Sequence, residues 1–211
     1  MDIAIIGTGN VGSALAGACV AAGHSVVLSA RHADHAQKVA AEVGARAAGS
    51  NREAVDGADL VVLAVPATAT APVVEELADG LDGRVVVDPT NPMNLPPDEL
   101  LHGTGAVTEA LRVLAPGARF VKAFNTIFAS RLTDPVIDGV PLDGLYAGDD
   151  EAAKETVAGL LADLGFRPLD IGPLGAARVL ELLAFVNISL NARNGWPWRS
   201  GWKLLGPTGE G

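Results

Sequence analysis

The residues of this chain that are best suited to chemistry form a glycine-rich segment near the amino terminus. Residues 7–12 read GTGNVG, a G-x-G-x-x-G pattern that follows the apolar run 3–6 and precedes residues with helical spacing. In that context the first glycine permits a tight turn, the second lets the backbone approach a pyrophosphate, and the third lets a helix pack closely on a strand. The first amides of the helix then face phosphate groups. The pattern predicts a dinucleotide-binding site, and the alternative is a glycine turn needed only for packing.

The segment 26–31, VVLSAR, indicates which dinucleotide is bound. In this architecture the end of the second strand approaches the adenosine ribose, where an acidic residue accepts a hydrogen bond from the 2′-hydroxyl of NAD. The segment has no acidic residue. Arg31 can instead form charge-assisted bonds to the 2′-phosphate of NADP, and Ser29 and Thr8 can donate to the same group. We therefore predict selectivity for NADP; the alternative is that Arg31 is a solvated residue at a helix start.

Three loops that follow predicted strands supply further candidate residues: 65–66, 88–92 and 125–129. Ligands bind at the carboxyl edge of strands in open α/β sheets, and all three loops are expected there. Pro66 is expected to stiffen one wall of the site, and Asn91 can form a hydrogen bond to the nicotinamide amide or to a second ring. Ordinary turn formation explains the Asp-Pro and Asn-Pro pairs of segment 88–92 nearly as well. The polar and apolar residues of NTIFA, at 125–129, suit a flat ring and predict a hydride pocket.

The chain has no persuasive nucleophile–base pair and no clear general acid. Hydride exchange between two redox rings explains this, because the cofactors supply the chemistry and the protein only aligns them and excludes water. A dehydrogenase that acts on an alcohol or an imine needs a positioned proton donor instead. We therefore assign no catalytic residue.

Several charged residues receive no firm role from the sequence. Lys122 has alternating strand neighbours, and it is either exposed on an edge or functional. Arg178 and Glu181 are three apart on a helix and are expected to form a modest surface or interface pair. The histidines of segment 32–35 lack further ligands, so we predict no metal site. The carboxylates of segment 148–150 are explained by helix capping.

Alternation of strands and helices sets the predicted architecture. Apolar runs typical of parallel strands occur at 3–6, 26–28, 60–65, 85–87 and 119–124. Glycines end the intervening helices, which predicts an α/β fold: a Rossmann-type, doubly wound, mostly parallel sheet with right-handed crossovers. A further strand, a helix and a last strand with Pro168 at a sheet edge follow, and then an amphipathic helix from 174 toward 190. We predict a dinucleotide-binding domain at 1–125 and a small α/β carboxy-terminal extension at 126–211.

Composition narrows the class of protein. The chain has 211 residues, 49% of them hydrophobic, and a net charge of −10, which argues against nonspecific nucleic-acid binding. The single cysteine, Cys19, excludes an intrachain disulfide framework, and the amino terminus has no signal-like pattern, so a cytoplasmic location is expected. The apolar stretch 179–190 is interrupted by Glu181 and Asn187 and is too short to span a membrane, so no membrane partner is predicted.

The order of the motifs along nearly the whole chain carries a family resemblance. They are GTGNVG at 7–12, Ser-x-Arg at 29–31, VKAFNT at 121–126, GDD at 148–150, and DIGPL at 170–174 with Ala177, Arg178 and Glu181. The chain resembles the NADPH-dependent reductases of the deazaflavin coenzyme F420. The resemblance implies a Rossmann-type fold, a homodimer, and hydride transfer between NADP(H) and a deazaflavin as the small-molecule acceptor.

The resemblance also implies roles for individual residues. Residues 8–11 would hold phosphate, Arg31 the 2′-phosphate, and three others would lie along the nicotinamide half. The full set of predicted cofactor-binding residues is Gly7, Thr8, Gly9, Asn10, Val11, Gly12, Ser29, Arg31, His35, Val65, Pro66, Asn91 and Ala129. In one departure Ala30 separates Ser29 from Arg31, and in another His35 stands where a basic residue is common in the family, so NADP affinity is expected to be weaker or more dependent on pH.

Two other functions fit the same residues. One is a related NADPH-dependent reductase of flavin, ferric chelates or small imines. The other is a nonenzymatic NADP sensor that keeps the nucleotide site and binds a protein partner. Reduction of different acceptors by NADPH distinguishes the three hypotheses.

Overall fold

Parallel strands form the centre of the protein in a computed structural model that describes residues 1–93 and 106–206. The strands of the main sheet are β1 (Asp2–Ile6), β2 (Ser25–Ser29), β3 (Arg46–Ala47), β4 (Leu60–Leu63), β5 (Val85–Asp88), β6 (Arg119–Ala123), β9 (Asp143–Gly148) and β10 (Arg167–Asp170). A separate hairpin comprises β7 (Val136–Ile137) and β8 (Val140–Pro141). The helices are α1 (Asn10–Ala21), α2 (Ala33–Val43), α3 (Asn51–Val55), α4 (Ala67–Leu81), α5 (Val107–Leu114), α6 (Ala129–Leu132), α7 (Glu151–Asp163) and α8 (Ala177–Asn194), with a 3-10 turn at Leu174–Ala176 before α8.

Within the described residues the main sheet has the order β3-β2-β1-β4-β5-β6-β9-β10. The first six strands are parallel, β9 is antiparallel to β6, and β10 is parallel to β9. The predicted doubly wound, mostly parallel α/β fold is confirmed. β10 lies at the sheet edge, as Pro168 indicated. The strand order reverses between β1 and β4, and ligands bind in open α/β sheets at that switch point.

The inner strands are apolar because helices cover both faces of the sheet. All four residues of β4 are buried, and so are Val85, Val86 and Val87. The structure contains short elements that the sequence analysis did not predict, namely β3, α3 and the β7–β8 hairpin. Ser50 caps α3 by accepting a hydrogen bond from the Glu53 amide at 3.1 Å. These elements have two to five residues each, too few to establish a periodic pattern.

The carboxy-terminal part of the chain extends the same sheet through β9 and β10. The division into domains at residue 125 stays a prediction. The segment Leu174–Asn194 is long and apolar enough to cross a membrane by length and composition, a property that it shares with core helices of soluble proteins. Its buried residues include Glu181, Asn187 and Asn191, side chains that pack against the rest of the protein.

A buried ion cluster joins β5, β6 and α8. The side chain of Lys122 has no exposed surface, and its ammonium group lies 3.0 Å from Asp88 and 3.2 Å from Glu181. It also donates to the carbonyl oxygen of Thr90 at 2.6 Å. All three of its donors are therefore used. Of the two alternatives left open for Lys122, exposure on an edge is excluded, because β6 lies inside the sheet and places the side chain between two buried carboxylates.

Each carboxylate of this cluster has several hydrogen-bond partners. Burial alone would raise the pKa of Asp88, but the charge of Lys122 and hydrogen bonds from Thr108 and Thr90 hold that pKa below its usual value. Glu181 accepts from Lys122, from the Val107 amide at 3.0 Å and from Arg178 at 3.3 Å. The predicted pair of Arg178 and Glu181 exists, but it is not a surface pair, because Glu181 is 1% exposed.

We expect Lys122→Met to lower the free energy of unfolding by about 3–5 kcal/mol, since it leaves Asp88 buried without its cation and leaves Glu181 with Arg178 alone. Urea unfolding followed by circular dichroism measures this loss. Lys38→Met is the control, because the Lys38 side chain is 73% exposed and contacts Glu42 only at 4.0 Å. Equal stability of the two variants would contradict a structural role for the cluster.

Candidate functional site

A groove of about 610 Å³ lies at the carboxyl edge of β1, β2 and β4. The turns that follow these three strands form its walls, and its position is the switch point of the sheet. The lining residues are Ile6, Gly7, Thr8, Gly9, Ala30, Arg31, His32, His35, Asn51, Ala64, Val65, Pro66, Ala69 and Val73. We call it the nucleotide groove. Its volume is in the range of small-molecule and cofactor sites.

The three glycines of the first turn have different roles. Gly7 has a φ of 111°, and a Cβ there would lie 2.2 Å from the Ala64 carbonyl oxygen. At Gly12 a Cβ would lie 2.0 Å from the Gly7 carbonyl oxygen. A Cβ at Gly9 would meet no described atom within 4 Å, so this position is open. The turn therefore needs glycine for packing at two positions and leaves room for a ligand at the third.

The start of α1 is suited to bind an anion. Gly9 is the N-cap and no side chain caps the helix. The amide of Ser13 donates to the Gly9 carbonyl oxygen at 2.9 Å, so the amides before it have no partner within the helix. Asn10 is the first helical residue and is exposed. These amides and the positive end of the helix dipole favour a phosphate at this point.

Cationic and polar side chains line the other end of the nucleotide groove. Arg31 and His35 are exposed there, and His32 lies beside them. The Thr8 hydroxyl and His35 Nδ1 are 2.7 Å apart, a hydrogen bond that links the glycine turn to α2. The structure thus brings together three residues that the sequence placed near a 2′-phosphate.

Ser29 has a different environment from the predicted one. It is 1% exposed, and its hydroxyl donates to Asn51 Oδ1 at 2.8 Å rather than lining the groove. Asn51 in turn donates to Glu76 at 3.0 Å. Asn51 lines the groove, and the sequence analysis missed it. The Ser-x-x-Glu pattern at 50–53, a capping-box signature, was the available signal for the helix that positions it.

A second, smaller cleft of about 190 Å³ lies beyond the ends of β5 and β6. We call it the ring cleft. Its lining residues are Val11, Pro89, Asn91, Phe124, Asn125, Thr126, Ile127, Phe128, Ala129, Ala184, Asn187 and Ile188. Of the residues predicted for the nicotinamide half, Asn91 and Ala129 line this cleft, whereas Val65 lines the nucleotide groove beside Pro66. Sequence reasoning missed Asn187, whose only signal was an amide inside an apolar helix.

Hydrogen bonds fix the walls of the ring cleft. Asn91 donates to the Asn125 carbonyl oxygen at 2.7 Å, and Asn125 donates back to Asn91 Oδ1 at 2.9 Å. Phe128 packs edge-on against Trp198, with ring centroids 5.6 Å apart. Phe124 has a φ of 64°, a conformation that is strained for a bulky residue. Strained backbone of this kind concentrates at functional sites.

The ring cleft is neutral. None of its lining residues in the described part of the chain is ionisable. Among residues 1–93 and 106–206 no three His, Cys, Asp or Glu side chains come together as a metal site. The arrangement can hold and orient a flat ring, but its lining presents only amides and a hydroxyl as proton donors. The burial that raises the pKa of the Cys19 thiol to about 12 also removes that group from chemistry at neutral pH.

Sequence comparison places the chain among reductases. A family profile described as coenzyme F420-dependent NADP oxidoreductase matches residues 2–92. The F420-dependent NADP reductase of Methanothermobacter thermautotrophicus is 33% identical over 211 residues, covering 92% of this chain and 90% of that protein. Metalloreductase STEAP3 of Rattus norvegicus is 32% identical over 185 residues, which cover 86% of this chain and 36% of that protein.

The chain also superposes on solved structures of reductases. A protein from Arthrobacter sp. FB24, assigned as an F420-dependent NADP-reductase, superposes with a TM-score of 0.85 at 30% identity, covering 97% of this chain and 100% of that one. An imine reductase of Streptomyces aurantiacus has a TM-score of 0.71 at 22% identity, covering 93% of this chain and 64% of that one. At that identity the likeness concerns the fold alone.

We expect Gly9→Ala to raise the Kd for NADPH by roughly tenfold or more without changing the thermal midpoint, because the new methyl group occupies only ligand space. Gly12→Ala is the matched comparison, and it should lower the thermal midpoint, since its methyl group meets backbone. Fluorescence titration and thermal unfolding measure the two effects. Unchanged NADPH affinity in Gly9→Ala would mean that no ligand approaches this backbone.

Arg31→Glu should weaken NADPH binding by roughly tenfold to a hundredfold and NADH binding much less, through lost phosphate bonds and added repulsion. Arg193→Glu, at an exposed position of α8, makes the same change in net charge and should alter neither affinity. The ratio of the two Kd values reports the selectivity. A ratio unchanged by Arg31→Glu would contradict the assignment.

Proposed function

Since the chain belongs to the coenzyme F420-dependent NADP oxidoreductase family, we propose that it transfers hydride between NADPH and a deazaflavin coenzyme. It is an NADP-dependent oxidoreductase with a Rossmann-type fold. The single observation that carries the proposal is the presence of two sites at the carboxyl edge of one sheet: a groove suited to a phosphorylated dinucleotide and a cleft suited to a ring, lined by described residues that carry no charge.

The nucleotide groove accounts for the choice of NADP. The open position at Gly9 lets the pyrophosphate approach, and the free amides of α1 donate hydrogen bonds to it. Arg31 donates to the 2′-phosphate beside Thr8 and His35, which are hydrogen-bonded to each other. Ser29 supports this wall indirectly through Asn51. Val65 and Pro66 form the facing wall.

The ring cleft accounts for the reaction. NADPH, when bound, supplies the hydride that reduces the deazaflavin. The residues of the chain orient and enclose the rings: Asn91 and Asn125 hold each other in place, Ala129 begins α6 at the cleft, and Phe128 is fixed by Trp198. A rigid cleft aligns the reacting carbons for hydride transfer, and the proton that the reduced deazaflavin also takes up comes from solvent. No catalytic side chain is needed.

A second candidate is NADPH-dependent reduction of ferric chelates or flavin. The observation in its favour is the 32% identity to a metalloreductase, although the chain spans only about a third of that relative. Reduction of imines is supported only by a shared fold. A nonenzymatic sensor is supported only by the nucleotide groove, so both have less support than the two reductase functions above.

We further propose a cytoplasmic homodimer with no membrane or nucleic-acid partner. The net charge of −10 disfavours nucleic acid. α8 presents Val179, Val186 and Leu190, each more than 40% exposed, on one side. Exposed apolar helix faces of this kind are commonly buried in the interface between two copies of a chain.

An acceptor assay tests the function directly. NADPH should bleach the visible absorbance of the deazaflavin rapidly, and NADH should do so much more slowly at equal concentration. Ferric chelate, free flavin and a cyclic imine are assayed in parallel with the same enzyme. Absence of deazaflavin reduction at saturating NADPH, with turnover of another acceptor, would replace the proposed function by that of the second candidate or of an imine reductase.

A further inference from the structure

The ring cleft contains buried polar groups that the fold leaves without partners. Among residues 1–93 and 106–206, Asn125 Oδ1, Thr126 Oγ1 and Asn187 Nδ2 have no exposed surface and no hydrogen-bond partner. All three residues line the ring cleft and are at most 6% exposed. A buried polar group without a partner destabilises a protein, so groups of this kind call for a specific explanation.

We propose that these three groups recognise the amide edge, C(=O)–N–H, of a redox ring bound in the cleft. The set contains one pure donor, Asn187 Nδ2, and one pure acceptor, Asn125 Oδ1. The Thr126 hydroxyl can do either. An amide edge presents the complementary acceptor and donor side by side. This inference rests on the proposed function, because it names the chemical group that the proposed ring-binding cleft recognises.

The orientation of the Asn187 amide is set by its other contacts. Asn187 Oδ1 accepts from Asn191 Nδ2 at 3.1 Å and from Ser200 Oγ at 2.7 Å. Asn191 also donates to Ser200 at 2.7 Å. Because both contacts at Oδ1 are donors, the nitrogen is the atom left without a partner. The described tail thereby fixes the side-chain nitrogen of Asn187 as a donor without a partner.

The orientation of the Asn125 amide is set in the same way. Its nitrogen donates to Asn91 Oδ1 at 2.9 Å, and its backbone carbonyl accepts from Asn91 at 2.7 Å. The side-chain oxygen is therefore the free atom. The strained φ of 64° at Phe124 immediately precedes Asn125 and Thr126. Strain held at this point supports a functional use of the two residues that follow.

Two ring sources share the amide-edge chemistry. One is the carboxamide of the nicotinamide, and the other is the pyrimidine ring of the deazaflavin. Both are flat and both fit a cleft of ring size better than a whole dinucleotide does. Binding measurements on each molecule separately distinguish them.

The test is Thr126→Val, which removes the hydroxyl and keeps the branched shape. Because the hydroxyl has no described partner to lose, the thermal midpoint should stay equal or rise. Affinity for one ring should fall by roughly threefold to tenfold, the loss of one hydrogen bond. Thr126→Ser restores the hydroxyl and should restore affinity. Thr156→Val, at a half-buried hydroxyl that donates to the Ala152 carbonyl oxygen in α7, is the control.

Asn187→Asp is the second variant, since it keeps the oxygen that binds Asn191 and Ser200 but replaces the free donor by an oxygen. Fluorescence titrations give the Kd for NADPH alone and for the deazaflavin alone. A higher Kd only for the deazaflavin assigns the edge to that ring, and a higher Kd for NADPH assigns it to the carboxamide. Unchanged Kd values for both molecules in both variants would overturn the inference.

Failure of the proposed function gives a different result. If the wild-type protein binds the rings but transfers no hydride to the deazaflavin, the function is wrong, while loss of ring affinity in Thr126→Val would still support amide-edge recognition. A lowered thermal midpoint in Thr126→Val, with Thr126→Ser failing to restore ring affinity, would instead indicate a structural role for this residue and would count against the inference.

Discussion

Burial of one ammonium group constrains much of the site. Lys122 is stable in the interior only if Asp88 and Glu181 are both within hydrogen-bonding distance, so β5, β6 and α8 must meet at one point. The third donor of Lys122 holds the Thr90 carbonyl oxygen, directly before Asn91. The geometry of the ring cleft therefore depends on a charged residue that does not line the cleft. This contact holds α8, a helix of 18 residues near the end of the chain, against the loop that follows β5.

Two kinds of force shape the two halves of the site. In the nucleotide groove the glycine turn is set by steric exclusion, since Gly7 and Gly12 cannot accept a Cβ, and the proposed affinity for phosphate comes from backbone amides and cations. In the ring cleft the walls are set by hydrogen bonds between neutral amides. Phosphate binding and ring alignment are thus separable properties. A change in salt or net charge is expected to act mainly on the nucleotide groove, because the described residues that line the ring cleft include no ionisable one.

The parts of the structure that were predicted from sequence are those with a local pattern. Parallel strands buried on both faces read as apolar runs, and the glycine turn has fixed spacing between a strand and a helix. The partners of individual side chains were not predictable. The alternation of side chains along a strand does not show whether the sheet face that carries Lys122 is covered by other elements. Ser29 bonds a residue 22 positions away. Asn187 appeared only as an interruption of an apolar helix, and its meaning depends on the cleft that the fold builds around it.

The chemistry of the ring cleft also limits the class of acceptor. An imine or a carbonyl that receives hydride needs a proton at the neighbouring heteroatom, which a positioned acid supplies in the usual case. The described lining offers a hydroxyl and amides, none of which gives up a proton readily at neutral pH. A conjugated ring differs, because it spreads the added negative charge over several heteroatoms that neutral donors such as Asn187 Nδ2 can stabilise in place. The described lining is therefore compatible with the proposed transfer of hydride to a conjugated ring.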